Sequence, residues 1–280
     1  MRWLVLSLAL LASPALAQQM ADGKADVSVA APAWAKDAGP VLAIDAAHKN
    51  FHTIDGRYAP FAALARNDGF QVVGNDAPFT EASLAKVQLL VMANAAQDLR
   101  PDEIKAVRAW VEDGGSLLIA DHMPFSRAAD GLARAFGFQF ESSFAFEPVR
   151  GPELFSRANG RLADSPVTPK DINAVYAFTG TVLHAPPAAT VVMRLGAGWS
   201  ILYPTEPWKF DGVPSRPSDD KDLRGALMAV GKGRVAMFSE AAMFSAQRQA
   251  GDKTMGFNYP PARQNKAFIL NILNWLGGAP

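Results

Sequence analysis

Between Pro101 and His122 the chain reads PDEIKAVRAWVEDGGSLLIADH. Pro101 suits a first helical position, because its missing N–H is one that a helix start leaves unpaired anyway. Ile104, Val107, Arg108 and Val111 follow at helical spacing, and Gly114-Gly115 ends the helix. Ser116 to Ala120 is then a short apolar run closed by Asp121, the pattern of a strand buried on both faces. A helix that feeds such a strand across a glycine turn predicts a unit of a parallel sheet.

The same alternation extends toward the N-terminus. Val41 to Ile44, Phe70 to Val73 and Leu89 to Ala93 predict three earlier strands, with Asp45 closing the first and Asn94 the third. Pro60 to Asn67 and Thr80 to Leu84 predict helices between them, and Ser126 to Phe136 a further helix. The expectation is an α/β domain over residues 40–280, built on a doubly wound, mostly parallel sheet. Residues 138–224 are rich in Pro, Gly, Thr and Val and predict an inserted β-rich, loop-rich region. Gly231-Lys232-Gly233 reads as a hairpin turn before a strand from Arg234 to Ser239, and Arg263 to Leu276 as a closing helix.

Residues 1–17 carry an export pattern. Arg2 precedes the apolar run Trp3 to Ala12, Pro14 breaks it, and Ala15-Leu16-Ala17 fits a small-x-small cleavage site. Residues 18–39 read as a flexible leader. The expectation is a periplasmic or secreted protein, and no later apolar run approaches the roughly 20 residues of a membrane span.

Composition narrows the function. Of 280 residues 49% are hydrophobic and 19% charged, which points to a folded chain with a sizeable core. Lys+Arg and Asp+Glu are 27 each, so no basic surplus exists to hold nucleic acid. With no cysteine, thiolate metal sites, disulfides and cysteine nucleophiles are excluded. No Gly-x-Ser-x-Gly elbow and no Gly-x-Gly-x-x-Gly phosphate loop occurs.

In an open parallel sheet, ligands bind beyond the carboxyl ends of the strands. Those ends carry Asp45, Asn94, Asp121-His122 and Glu240, and the loop after Asp45 adds His48, His52, Thr53, Arg57 and Tyr58. Asp121, His122, Glu240 and Asp45 are the candidate catalytic residues, by general acid–base work or by holding a divalent metal that activates water. His48 and His52 are the candidate metal ligands, and Asn94, Thr53, Arg57 and Tyr58 the candidate substrate contacts. Phe138, Phe140, Phe144, Phe146 and Phe155 could line a sugar groove, and Trp199, Tyr203, Trp208 and Phe210 offer a stacking set.

Phe51 to Tyr58, Trp110 to His122 and Gly231-Lys232-Gly233-Arg234-Val235 resemble a bacterial branch of the class I glutamine-amidotransferase-like superfamily. The resemblance implies a flavodoxin-like sheet. It also implies a site at the turn Ala120-Asp121-His122-Met123, where amidotransferases carry a cysteine that is absent here. Two functions follow as expectations. One is a hydrolase acting on a small polar substrate such as a sugar or cell-envelope fragment. The other is a non-catalytic module that binds a ligand, a glycan or a protein partner in the envelope.

Overall fold

Strands buried on both faces need apolar residues without a break. β1 (Val41–Asp45), β3 (Leu89–Ala93) and β4 (Ser116–Ala120) meet that need, whereas β2 (Gln71–Asn75) mixes polar residues and lies at the sheet edge. The structure is a computed structural model and describes residues 19–121, 128–147, 151–206, 208–249 and 252–279. The export pattern and His122 lie outside the described residues.

The four strands are parallel in the order β2–β1–β3–β4. Helices α1 (Ala59–Asn67), α2 (Glu81–Leu84) and α3 (Pro101–Glu112) connect them, and α4 (Asp130–Ala135) follows β4. Alternation along each strand divides the interior into two cores. Leu42, Ile44, Val91 and Leu118 pack with Phe61 and Leu64 of α1. Ala43, Leu90, Met92 and Leu117 pack with Leu84, Val107, Val111 and Leu132 of the other helices.

Beyond residue 138 the architecture changes. β5 (Gln139–Phe140), β6 (Leu183–His184), β7 (Thr190–Arg194), β8 (Leu223–Val230) and β9 (Gly233–Phe238) complete a nine-stranded sheet. β9 lies parallel to β4, with Arg234 opposite Ser116 and Phe238 opposite Ala120. β8 returns antiparallel through the Gly231-Lys232 turn, where Gly231 has φ +58° and a Cβ would meet the Glu112 backbone. β6 and β7 both pair antiparallel with β8, and β5 pairs antiparallel with β6. Helix α5 (Asn265–Gly277) covers the first core with Phe268, Ile269, Ile272 and Leu273. Small antiparallel sheets join Phe144–Phe146 to Ser200–Leu202 and Ser215–Pro217, and Glu153–Ser156 to Ala174–Ala177.

The doubly wound, flavodoxin-like sheet expected from sequence is therefore corrected. The chain is mostly β, with a mixed sheet, several small antiparallel sheets and, among the described residues, five α-helices. The sequence reading failed at β8, whose Leu-Arg-Gly-Ala-Leu-Met-Ala-Val carries helix-forming residues that its partners hold extended. It also failed at β5 and β6, two residues each and too short for any period to register. Residues 138–224 thus supply strands to the main sheet as well as loops beside it.

Residues 19–39, read as a leader, run along the domain. Met20–Ala21 pairs with Ala246–Arg248, the Ala33 N–H donates to Asp68 at 2.9 Å, and Trp34 sits edge-on to Phe70 at 4.5 Å. Among the described residues no helix is long and apolar enough to cross a membrane.

Candidate functional site

The sheet sorts the polar residues of its carboxyl edge into two groups. Asp45 shares the side of Ala43 and meets α3. Its Oδ2 lies 2.9 Å from His48 Nδ1, and His48 Nε2 lies 3.2 Å from Glu103 Oε1. Glu103 also accepts the N–H groups of Phe79 and Arg100, both at 3.0 Å. All three side chains are buried. Burial alone would lower the pKa of His48, but the carboxylates of Asp45 and Glu103 outweigh it and raise the value. Both His48 ring nitrogens therefore face carboxylate oxygens, an arrangement that favours the imidazolium form. Glu103 escaped the sequence reading, although a Glu three residues after Arg100 and just behind Pro101 is a helix-start signal.

The second group lies on the side of α1. His52 is buried, with Nδ1 3.2 Å from Asn94 Nδ2 and Nε2 3.4 Å from Gln247 Nε2. A neutral imidazole has one acceptor nitrogen, so the two amides cannot both donate. Turning the Gln247 amide lets its Oε1, otherwise buried without a partner, accept from His52 Nε2–H. Asn94 has φ +49° and Lys49 φ +53°, left-handed conformations at the point where the chain leaves the sheet. The Asp121 N–H donates to the Phe238 carbonyl at 2.9 Å, and the side chain is 6% exposed. Tyr58 donates its hydroxyl to the Ala241 carbonyl at 2.8 Å, with its ring 4.8 Å from that of His52. Burial, then the negative charges of Glu240 and Asp121, push the phenol well above its ordinary value. Asp121, Glu240, Tyr58, His52 and Asn94 are therefore brought together at this edge.

Thr53 and Arg57 both bond to backbone groups. The Thr53 carbonyl accepts from Gly56 and Tyr58, and Arg57 Nε donates to the Gln19 carbonyl at 3.2 Å. Glu240 accepts the N–H groups of Ala242 and Met243 on its two oxygens. Burial still raises its pKa to about 8, and the neighbouring charge of Glu153 adds to that rise. Glu153 is buried too and raised to about 7, with Arg224 holding its Oε2 at 2.8 Å. The buried Arg224 guanidinium thus pairs with Glu153, bears by its charge on Glu240, and lies 5.3 Å from the centre of the Trp199 ring. Sequence reasoning passed over Glu153 and Arg224. A single charge inside an apolar strand was the available signal, since such a charge needs a buried partner.

A third cluster surrounds Glu141. Its Oε1 accepts from His184 Nε2 at 2.9 Å and from Arg216 at 2.8 Å, and its Oε2 accepts the Tyr203 hydroxyl at 3.1 Å. Arg216 forks onto Asp222 at 2.6 and 2.8 Å. Despite burial, these donors lower the Glu141 carboxyl to about 2. Ligand atoms of Glu141, His184 and Asp222 lie within 4.8 Å of one another, and the Arg216 guanidinium lies 2.8 Å from Glu141 and 2.6 Å from Asp222. Close by, Phe144 stacks parallel to Phe146 at 5.9 Å. Trp208 and Phe210 pack against Phe144 at 5.1 and 5.3 Å. Phe138, Phe140, Phe144, Phe146 and Phe155 of the expected sugar groove, and Trp199 of the expected stacking set, are buried.

A mixed nine-stranded sheet with a polar carboxyl edge defines the class of domain. Residues 56–254 match the family described as Domain of unknown function (DUF4350), and the chain belongs to that family. No curated protein matches it in sequence. Among solved structures, the "mmIFT52 N-terminal domain" is similar at TM-score 0.61 and 14% identity, covering 84% of this chain and 96% of that one. The "Cytoplasmic Protein STM1381 from Salmonella typhimurium LT2" is similar at TM-score 0.53 and 12% identity, covering 85% and 99%. The "Cytoplasmic Protein STM3548 from Salmonella typhimurium" is similar at TM-score 0.52 and 11% identity, covering 85% and 98%. At these identities the likeness is one of fold. Membership of DUF4350 replaces the resemblance to the glutamine-amidotransferase-like superfamily, which none of these comparisons supports.

Proposed function

We propose that the chain is a non-catalytic binding module of the cell envelope whose ligand is a glycan, held on Trp208 and Phe210, which pack on the buried rings of Phe144 and Phe146. The observation that carries this reading is the aromatic cluster itself. Trp208 is 52% exposed and has φ +64°, a conformation that costs a bulky residue free energy and recurs at functional sites. Aromatic faces suit the C–H faces of a sugar ring, and the part-buried polar residues around Glu141 lie on adjoining segments. At the carboxyl edge, by contrast, His48, Glu240 and Tyr58 bond to the protein itself. Delivery to the envelope is part of the proposal and rests on the export pattern of residues 1–17.

The test is calorimetric titration with chitotetraose and with muropeptides. Saturable binding that weakens at least tenfold in Trp208→Ala, at unchanged thermal midpoint, supports the reading. No binding to either probe, or equal binding by the variant, overturns it. A hydrolase at the carboxyl edge is the second reading. It rests on Glu240, held protonated near Asp121, which gives the acid and base of a general acid–base pair. Turnover of a glycoside that is lost in both Glu240→Gln and Asp121→Asn would favour it.

A further inference from the structure

We infer that Glu141 is the positioning residue of the aromatic site, fixing the loop on which Trp208 and Phe210 stand. The inference rests on the glycan-binding reading and deepens it.

That loop leaves the small sheet after Leu202 and re-enters it at Ser215. Its neck is closed by the Tyr203 N–H, which donates to the Pro214 carbonyl at 3.0 Å. One carboxylate then holds both stems. Glu141 accepts the Tyr203 hydroxyl on Oε2 at 3.1 Å and the Arg216 guanidinium on Oε1 at 2.8 Å. The stems are also tied to each other, because Arg216 Nε donates to the Tyr203 hydroxyl oxygen at 2.8 Å.

The other bonds anchor this hub to the main sheet. Glu141 accepts from His184 of β6, which pairs with Gln139 of β5. Arg216 grips Asp222, next to the start of β8. Glu141 itself lies three residues before Phe144, whose buried ring carries Trp208 and Phe210. Glu141 is thus the carboxylate that touches both stems, beside the Arg216–Asp222 pair and the strand pairing of Ser200–Leu202 with Phe144–Phe146. It must be an acid, because three donors converge on it. Arg216 is always cationic, and the raised pKa of His184 favours its cationic form. A glutamine would offer one acceptor oxygen and turn an NH2 group toward the remaining donors.

The experiment compares wild type, Glu141→Gln and Trp208→Ala for chitotetraose affinity. It adds the Trp208 fluorescence component, taken as wild type minus Trp208→Phe. Glu141→Gln is expected to weaken binding about tenfold, the scale of one charge-assisted bond, and to shift the Trp208 component to the red. If Trp208→Ala binds normally, the aromatic reading fails. If Trp208→Ala weakens binding but Glu141→Gln keeps wild-type affinity and emission, the assignment of Glu141 fails alone. Should Glu141→Gln not fold, Tyr203→Phe removes one tie and keeps the carboxylate. A smaller loss with the same red shift supports the inference, and wild-type behaviour overturns it.

Discussion

Glu240→Gln tests the electrostatics of the interior through the pH dependence of stability. Glu240 is fully buried, and its folded-state pKa of about 8 stands above the ordinary 4.5. Below pH 4.5 it is protonated in both the folded and the unfolded chain, and its contribution to stability is full. As pH rises from 4.5 toward 8 the unfolded chain ionises first, so stability falls by at most about 1.4 kcal/mol per pH unit for this group. Over that window the ceiling is on the order of 5 kcal/mol. Glu153 and Arg224 share the site, so the realised fall is smaller and belongs to the cluster. Glutamine removes the titration. It also turns an NH2 group toward the N–H of Ala242 or Met243, costing about 1–2 kcal/mol. Urea midpoints at pH 5, 6, 7, 8 and 9 should therefore show the variant weaker than wild type at pH 5 and level with it or stronger by pH 8. Parallel profiles for the two proteins would refute the argument, because they would mean that Glu240 titrates alike in both states.

Two further outcomes follow from the other buried charges. His48→Ala strips Asp45 and Glu103 of the imidazole between them, leaving Glu103 only the half-exposed Arg100 guanidinium at 3.6 Å, and should cost about 3–5 kcal/mol by urea denaturation. Because the folded pKa of His48 is raised, that loss should be full below pH 6.5 and shrink as pH passes above the raised value. Arg224→Met strips Glu153 of its only cationic hydrogen-bond partner among the described residues. Its destabilisation should be small at pH 5, where Glu153 is protonated, and grow to about 3 kcal/mol by pH 8. Thermal midpoints across that range measure it, and a loss constant with pH would contradict the proton assignment.

The parallel half of the sheet was legible because β1, β3 and β4 are runs of apolar residues bounded by turn signals. Asp45, Asn94, Asp121 and Glu240 could be placed at strand ends for the same reason. The antiparallel half was not legible. β8 is extended only because β6, β7 and β9 bond to its two edges, and its residues taken alone favour a helix. A sequence window records what a segment prefers and not which edge waits for it, so one missed strand turned a mixed sheet into an apparent insertion.

The candidate sites divide along the same line. Sequence places a residue at a strand end, but parity fixes the face its side chain joins only while the strand lasts: Asp121, one residue past Ala120, joins the α1 group although Ile119 faces α3. Asp45 follows Ala43 onto the α3 side and captures His48, while Glu240 follows Phe238 onto the α1 side and meets Tyr58. Grouping all the acids and imidazoles of one rim ignored this alternation. Glu153, Arg224 and Glu141 lay deeper still, since each is isolated in sequence and gains its meaning from a partner about 70 residues away or more: 71 for Glu153 and Arg224, and 75 for Glu141 and Arg216. A lone charge among apolar neighbours is nevertheless a readable demand for a counter-charge. Pairing such residues first, before assigning strands, would have drawn Arg224 toward Glu153. That pairing would have required residue 224 to lie inside the fold within reach of Glu153, as it does in β8.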